Sequence, residues 1–177
     1  FPTLSSSPFS EIRKAVDICE KLMAEPDSPI LGLHVEGPYL NRKMAGEQFA
    51  NQVKEVDVAE YTSLLESTDC IKRWDASPEL PGALDFARYL KSKGIVGAVS
   101  HTEAEYDGIK EAYEAGFTHA AHFYNAMPGF HKRREYKYEG TVESVYLTDG
   151  MTIELIADGI HLPSTILKLA YKLKGVE

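Results

Sequence analysis

The sequence predicts an α/β domain built around a parallel sheet, and three observations carry that reading. Short apolar runs such as "IVGAVS" alternate along the chain with longer stretches whose apolar residues recur at helical spacing. No interior linker, low-complexity stretch or shift of composition breaks the alternation, so residues 1–177 read as a single domain. Composition agrees, because 44% hydrophobic and 26% charged residues over 177 positions is ordinary for a globular domain with its own core.

The elements follow in order. "FPTL" reads as the tail of a strand. "SEIRKAVDICEKLMAE" places Ile12, Ala15, Val16, Cys19, Leu22 and Met23 on one helical stripe. "SPILGLHVEGP" is a nearly continuous apolar run stopped by Gly37-Pro38, as expected of a strand covered on both faces. "DVAEYTSLLES" opens on Asp57 as a cap and puts Val58, Tyr61, Leu64 and Leu65 on one side. "CIKRWDASPE" is a weaker strand, and "PGALDFARYLKSKG" a helix closed by Gly94. After the strand in "IVGAVSH" comes "TEAEYDGIKEAYEAG", where Thr102 and Glu105 have the spacing of a capping box and Gly116 is the stop. "FTHAAHFYNAM" is a strand and its exit, "GTVESVYLTDG" a short helix, and "MTIELIADG" another strand. "PSTILKLAYKLKG" is the last helix, with Ile166, Leu167, Ala170 and Leu173 inward.

That is five strands plus the "FPTL" tail. The glycine fingerprint of a dinucleotide-binding sheet is absent, and a closed (β/α)8 barrel needs about 250 residues. An open doubly wound sheet and a partial barrel both remain at this point.

Net charge is −8 with a pI near 5.3, which argues against a nucleic-acid or anionic-membrane surface. Cys19 and Cys70 are too few for a disulfide framework, so the expected setting is a reducing cytoplasm. No apolar run approaches a membrane span and no signal peptide is recognisable. The first residue is Phe1 and not Met, so the chain is expected to begin part-way through a longer protein or to be processed.

In parallel α/β folds, chemistry gathers at the carboxyl ends of the strands. Reading those ends gives Glu36, Trp74-Asp75, His101, His122, and the stretch Asp158 to His161. Glu36, His101 and His122 are metal-ligand types, each closing a separate apolar run. Neighbouring strand ends converge, so one carboxylate and two imidazoles can meet around a divalent ion with a position left open. The alternative is three hydrogen-bonded structural residues. His34 shares Glu36's strand face and reads as packing or a support for the ligands, while His119 reads as structural. "FHKRREYKYEG" holds four Lys or Arg residues against two Glu, a basic patch on an acidic chain. It is either a solvated loop or a phosphate-capturing one.

The segments "LHVEGPYLN", "SHTEAEYDG", "AAHFYNAMP" and "IADGIH" together resemble, in order and spacing, the signature segments of the N-acetylglucosamine-6-phosphate deacetylase family, metal-dependent barrels of the amidohydrolase superfamily. The resemblance covers essentially the whole chain. It implies a partial TIM (β/α)8 barrel of about strands 3–7, and a carbon–nitrogen hydrolase that removes acetate from N-acetylglucosamine 6-phosphate. It further implies Glu36, His101 and His122 as ligands of a divalent metal, with zinc first and iron next. Asn125, Ala126 and His161 match substrate contacts, and Arg134 matches an arginine that binds phosphate, in the family at times for the neighbouring subunit. A homodimer follows from that habit.

Two departures stand out. Gln48 occupies the place of a usual substrate-contacting histidine, and the loop around Arg134 lacks a usual proline. The family's His-x-His segment is expected before Phe1 and its general acid/base aspartate beyond Glu177. Asp149 precedes a strand and reads as a turn residue, so the chain alone is expected to be inactive. The rivals are another amidohydrolase acting on a cyclic amide or other acyl sugar, and a non-catalytic phosphosugar-binding protein.

Overall fold

The computed structural model describes residues 1–175. Six parallel strands form one sheet: β1 (Thr3–Leu4), β2 (Leu33–Glu36), β3 (Ile71–Ala76), β4 (Val96–Val99), β5 (Phe117–Ala120) and β8 (Thr152–Ile153). Their spatial order is β1-β2-β3-β4-β5-β8, the order of the chain itself. A doubly wound sheet reverses direction at a switch point. This one never reverses, and right-handed crossovers therefore lay the helices along one face, as in a barrel wall. The open question of the sequence is settled by strand order.

The helices are α1 (Phe9–Met23), α2 (Val58–Leu65), α3 (Ala83–Ser92), α4 (Tyr106–Ala115), α5 (Thr141–Tyr146) and α6 (Ser164–Lys174). The core lies between them and the sheet. Trp74 on β3 meets Phe86 of α3 edge-on with ring centroids 5.3 Å apart, and stacks on Tyr39 at 5.9 Å. Val35, Val99 and Ala120 face the same way and are buried. Each large apolar side chain so covered contributes about 1.5–3 kcal/mol. From α1, Ile12, Val16 and Cys19 join this core.

Several sequence expectations are corrected here. Leu22 (39% exposed), Val58 (58%) and Leu173 (55%) lie outward, since each stripe is narrower than periodicity alone suggests. Of the α6 stripe only Ala170 is buried. Thr102 and Glu105 form no capping box. Helix α4 starts at Tyr106, while Thr102 Oγ1 donates to Glu79 and accepts the Ala104 N–H at 3.0 Å. The loop that carries His101 claims those groups first. The expected strand "MTIELIADG" pairs only at Thr152–Ile153.

The basic stretch is not an irregular loop. It forms an antiparallel hairpin of β6 (His131–Arg133) and β7 (Tyr136–Tyr138). Arg134 sits in its two-residue turn at φ +55°, a place where Gly or Asn is usual. The sequence therefore carried no turn signal there.

Candidate metal centre

The upper edge of the sheet brings three side chains together. Glu36 ends β2, while His101 and His122 each follow their strands, β4 and β5, by two residues. One ligand atom from each lies within 4.8 Å of the others. His101 Nε2 is 2.9 Å, and His122 Nε2 3.1 Å, from the same Glu36 oxygen. The rings meet at 78° with centroids 4.8 Å apart.

The far side of each ring is anchored. His101 Nδ1 donates to the Met44 carbonyl at 2.8 Å, at the end of a 3₁₀ turn (Arg42–Met44), and His122 Nδ1 donates to the Asn125 carbonyl at 3.2 Å. These bonds place the neutral ring's proton on Nδ1, so each Nε2 presents a lone pair to a carboxylate oxygen. That juxtaposition is repulsive unless a cation or a proton sits between them. One oxygen and two imidazole nitrogens, both oriented from behind, form a donor set that fits a divalent metal of the zinc type. Without an ion, a proton takes that place. Burial would raise the Glu36 carboxyl, but hydrogen bonds and charge from His101 and His122 outweigh it and hold the group well below the usual carboxylate range. Burial would lower His122, and the Glu36 carboxylate outweighs that and raises it.

Backbone strain marks the same place. His101 (φ +46°), His122 (+32°), Tyr124 (+79°) and Ala126 (+52°) adopt the left-handed region without being glycine. Such conformations persist only where surrounding contacts impose them. Gly46 (φ +57°) supplies the left-handed turn beside the His101 ring, a conformation that glycine adopts without strain.

The trio opens into a cleft of about 530 Å3, also lined by Ser5, Glu47, Gln48, Asn125, Ala126, Ile156 and His161. The structure thus places Gln48, Asn125, Ala126 and His161 around the cluster. Gln48 Oε1 accepts the Ser6 N–H at 2.8 Å, tying that wall to the β1 exit. The Asn125 side-chain amide donates to the His122 carbonyl at 3.1 Å. His161 Nδ1 is 2.7 Å from Asp158, whose carboxyl is lowered to about 2 by the His161 and Ile160 backbone N–H groups. Arg134, exposed on its hairpin, is not part of the cleft lining. His34 Nε2 stands 2.9 Å from Asp75 Oδ1, though not aligned for a hydrogen bond, and supports the strand below Glu36.

Sequence reasoning missed what lies beneath. Arg73 pairs with Asp75 (2.9 and 3.2 Å) and with Glu154 (2.6 and 2.9 Å). Glu154 in turn accepts the His122 backbone N–H at 3.0 Å. The available signal was the alternation in "KRWDA", where Arg73 and Asp75 flank Trp74 and must share the face opposite to it.

No family model matches the chain. Among proteins, it is 31% identical over 162 residues to N-acetylglucosamine-6-phosphate deacetylase of Lysinibacillus sphaericus, covering 85% of this chain and 38% of that one. It is 35% identical over 147 residues to the protein of that name from Bacillus subtilis, covering 82% and 36%. Among solved structures, N-acetylglucosamine-6-phosphate deacetylase from Pasteurella multocida superposes with a TM-score of 0.90 at 28% identity, over 99% of this chain and 45% of that one. A Mycobacterium smegmatis variant solved with N-acetyl-D-glucosamine-6-phosphate superposes at 0.87 with 27% identity, over 98% of this chain and 44% of that one. The chain thus spans less than half the length of these relatives. Shared sequence, shared barrel-wall topology and nearly full coverage of its own length make it a homologue of the N-acetylglucosamine-6-phosphate deacetylase family.

Proposed function

We propose that these residues form the metal-holding part of a deacetylase that removes acetate from N-acetylglucosamine 6-phosphate, within a protein longer than this chain. The observation that carries the reading is the meeting of His101 Nε2 and His122 Nε2 on one Glu36 oxygen, with both rings anchored through Nδ1. Glu36, His101 and His122 would hold a divalent ion, zinc first. Bound there, the ion supplies an activated water and a polarised amide carbonyl. Asn125 and Ala126, in the turn after His122, orient the acetamide and sugar. Gln48 and His161, which line the same cleft, hold the sugar ring.

Of the cleft-lining residues only Glu36 and Glu47 carry a carboxylate, and Glu36 is committed to both imidazoles. By its resemblance to the family, the general acid/base is assigned to an aspartate outside this chain, which is expected to be inactive by itself. Arg134, away from the cleft of its own chain, is assigned to the substrate phosphate in a neighbouring copy, which makes the working assembly a homodimer. Among the described residues no helix is long and apolar enough to cross a membrane. With two buried free thiols, this supports a cytoplasmic setting.

The test has two stages. The chain should bind one equivalent of Zn2+ by isothermal titration, and show no acetate release from N-acetylglucosamine 6-phosphate. Failure to bind sinks the metal centre, and turnover by the 177-residue chain refutes the outside aspartate. A second reading has its own support. An N-acetylgalactosamine-6-phosphate deacetylase of Escherichia coli O157:H7 is 30% identical over 174 residues. Assaying the complete protein on both epimers decides which hexosamine it prefers.

A further inference from the structure

Beneath the metal centre, Arg73 on β3 reaches past β4 and β5 to Glu154, the residue after β8. Strands three places apart lie about 14 Å from each other along a sheet. A direct ion pair between them closes most readily across the concave side of a curved one. Ala98, in register with Asp75 and His119, is small enough to let the guanidinium cross. The Arg73 side chain is 14% exposed and Asp75 fully buried, so the guanidinium is shared by two carboxylates in a sheltered place. This is a built clamp and not a chance surface pair.

Glu154, its side chain 42% exposed, is nevertheless fixed at several points. Its own N–H donates to the Ala120 carbonyl at 3.1 Å, and its carbonyl accepts the Phe123 N–H at 2.8 Å. Its Oε1 takes Arg73 Nη2 at 2.9 Å and the His122 backbone N–H at 3.0 Å. That backbone N–H belongs to a residue at φ +32°, a conformation that costs free energy and turns the imidazole toward Glu36. Among the described residues, nothing else bridges Arg73 to the His122 main chain.

We propose that Glu154, oriented by Arg73, is a positioning residue for His122: it holds the strained backbone that aims Nε2 into the metal centre, and so sets metal affinity. This rests on Glu36, His101 and His122 being metal ligands. Glu154 touches neither metal nor substrate and acts through the His122 main chain. Partners of this kind behind a ligand change affinity by about 10- to 100-fold.

The experiment compares Co2+ binding by the chain, read from the visible spectrum and from chelator competition, in three proteins. Glu154→Gln keeps the acceptor oxygen at the same reach and should bind Co2+ within about threefold of the parent. Glu154→Asp pulls the acceptor back by one bond, about 1.5 Å. It should bind at least tenfold more weakly, with an altered spectrum, while circular dichroism of the metal-free chain stays unchanged. Equal affinity for Asp and parent overturns the proposal, as does a loss in Gln as large as in Asp, or a weakening that merely follows loss of fold. If the parent itself binds no Co2+, the metal reading fails first, which the parent titration alone reports.

Discussion

The two faces of the sheet are built on opposite principles. The helix-facing side carries Val35, Trp74, Ala76, Val99 and Ala120, all buried and apolar. The other side carries His34, Glu36, Arg73, Asp75 and His119, with Glu154 just beyond β8. One face is held by area removed from water, which is non-directional and tolerates repacking. The other is held by charges that must meet at set distances, and it leads directly to the metal centre. The comparison teaches where precision resides: stability is vested in the first face, site geometry in the second.

The largest effect should come from the apolar face. Trp74→Ala removes the ring that stacks on Tyr39 and meets Phe86, and should cost about 3–5 kcal/mol in urea unfolding. A cost below about 1 kcal/mol would mean that the core is not centred there. On the polar face, Arg73→Met leaves Asp75 buried without its cation and should cost about 3 kcal/mol. Adding Asp75→Leu should recover most of that loss, because the fully buried carboxylate is then gone and the remaining Glu154 is 42% exposed. If the double variant is worse than the single one, the clamp is not an isolated charge problem.

Next comes a change that separates function from stability. His122→Ala should weaken Zn2+ binding by at least a hundredfold, about 2.8 kcal/mol. The urea midpoint of the metal-free chain should stay near that of the parent. Acid should then reveal the polar face in the unmutated chain. Burial would raise the Glu154 carboxyl, but the His119 ring 3.9 Å away, the Arg73 hydrogen bonds and the Arg73 charge hold it well below its usual 4.5. A depressed carboxyl adds stability above that usual value and loses it as pH falls toward the folded-state value. Stability measured from pH 6 down to 3 should therefore drop, by about 1 kcal/mol or less for this half-exposed group. The drop should shrink in Arg73→Met. The smallest effect is expected at Arg134→Ala, exposed on its hairpin, which should change stability by no more than about 0.5 kcal/mol and leave metal affinity unaltered.

Much of this was readable before any coordinates. The strand ends Glu36, His101 and His122 announced themselves because each interrupts a small-residue apolar run with a metal-ligand type, and continuous apolar runs between helices of period 3.6 located the strands of that wall. The stop at Gly116 and the cap at Asp57 held, the latter through Asp57 Oδ1 accepting the Glu60 N–H at 3.1 Å. Other features were opaque for a stated reason. Thr102 has the spacing of a cap, yet Glu79, 23 residues upstream, takes its hydroxyl. The hairpin turn at Arg134-Glu135 lacks turn residues because strand pairing on either side imposes the conformation.

The sequence by itself determined the alternation of strands and helices, the apolar face, and which residue types stand at the strand ends. Those are local properties, written in periodicity and side-chain chemistry. Only the tertiary structure decided that the strands run in unbroken order and that Met44 and Asn125 carbonyls orient the two imidazoles. It also decided that Arg73 meets Glu154, 81 positions further along the sequence, and thereby reaches His122. Such contacts depend on the curvature of the sheet and on which small residue, here Ala98, leaves room for a guanidinium, and no local pattern encodes a distance between strands that are not neighbours.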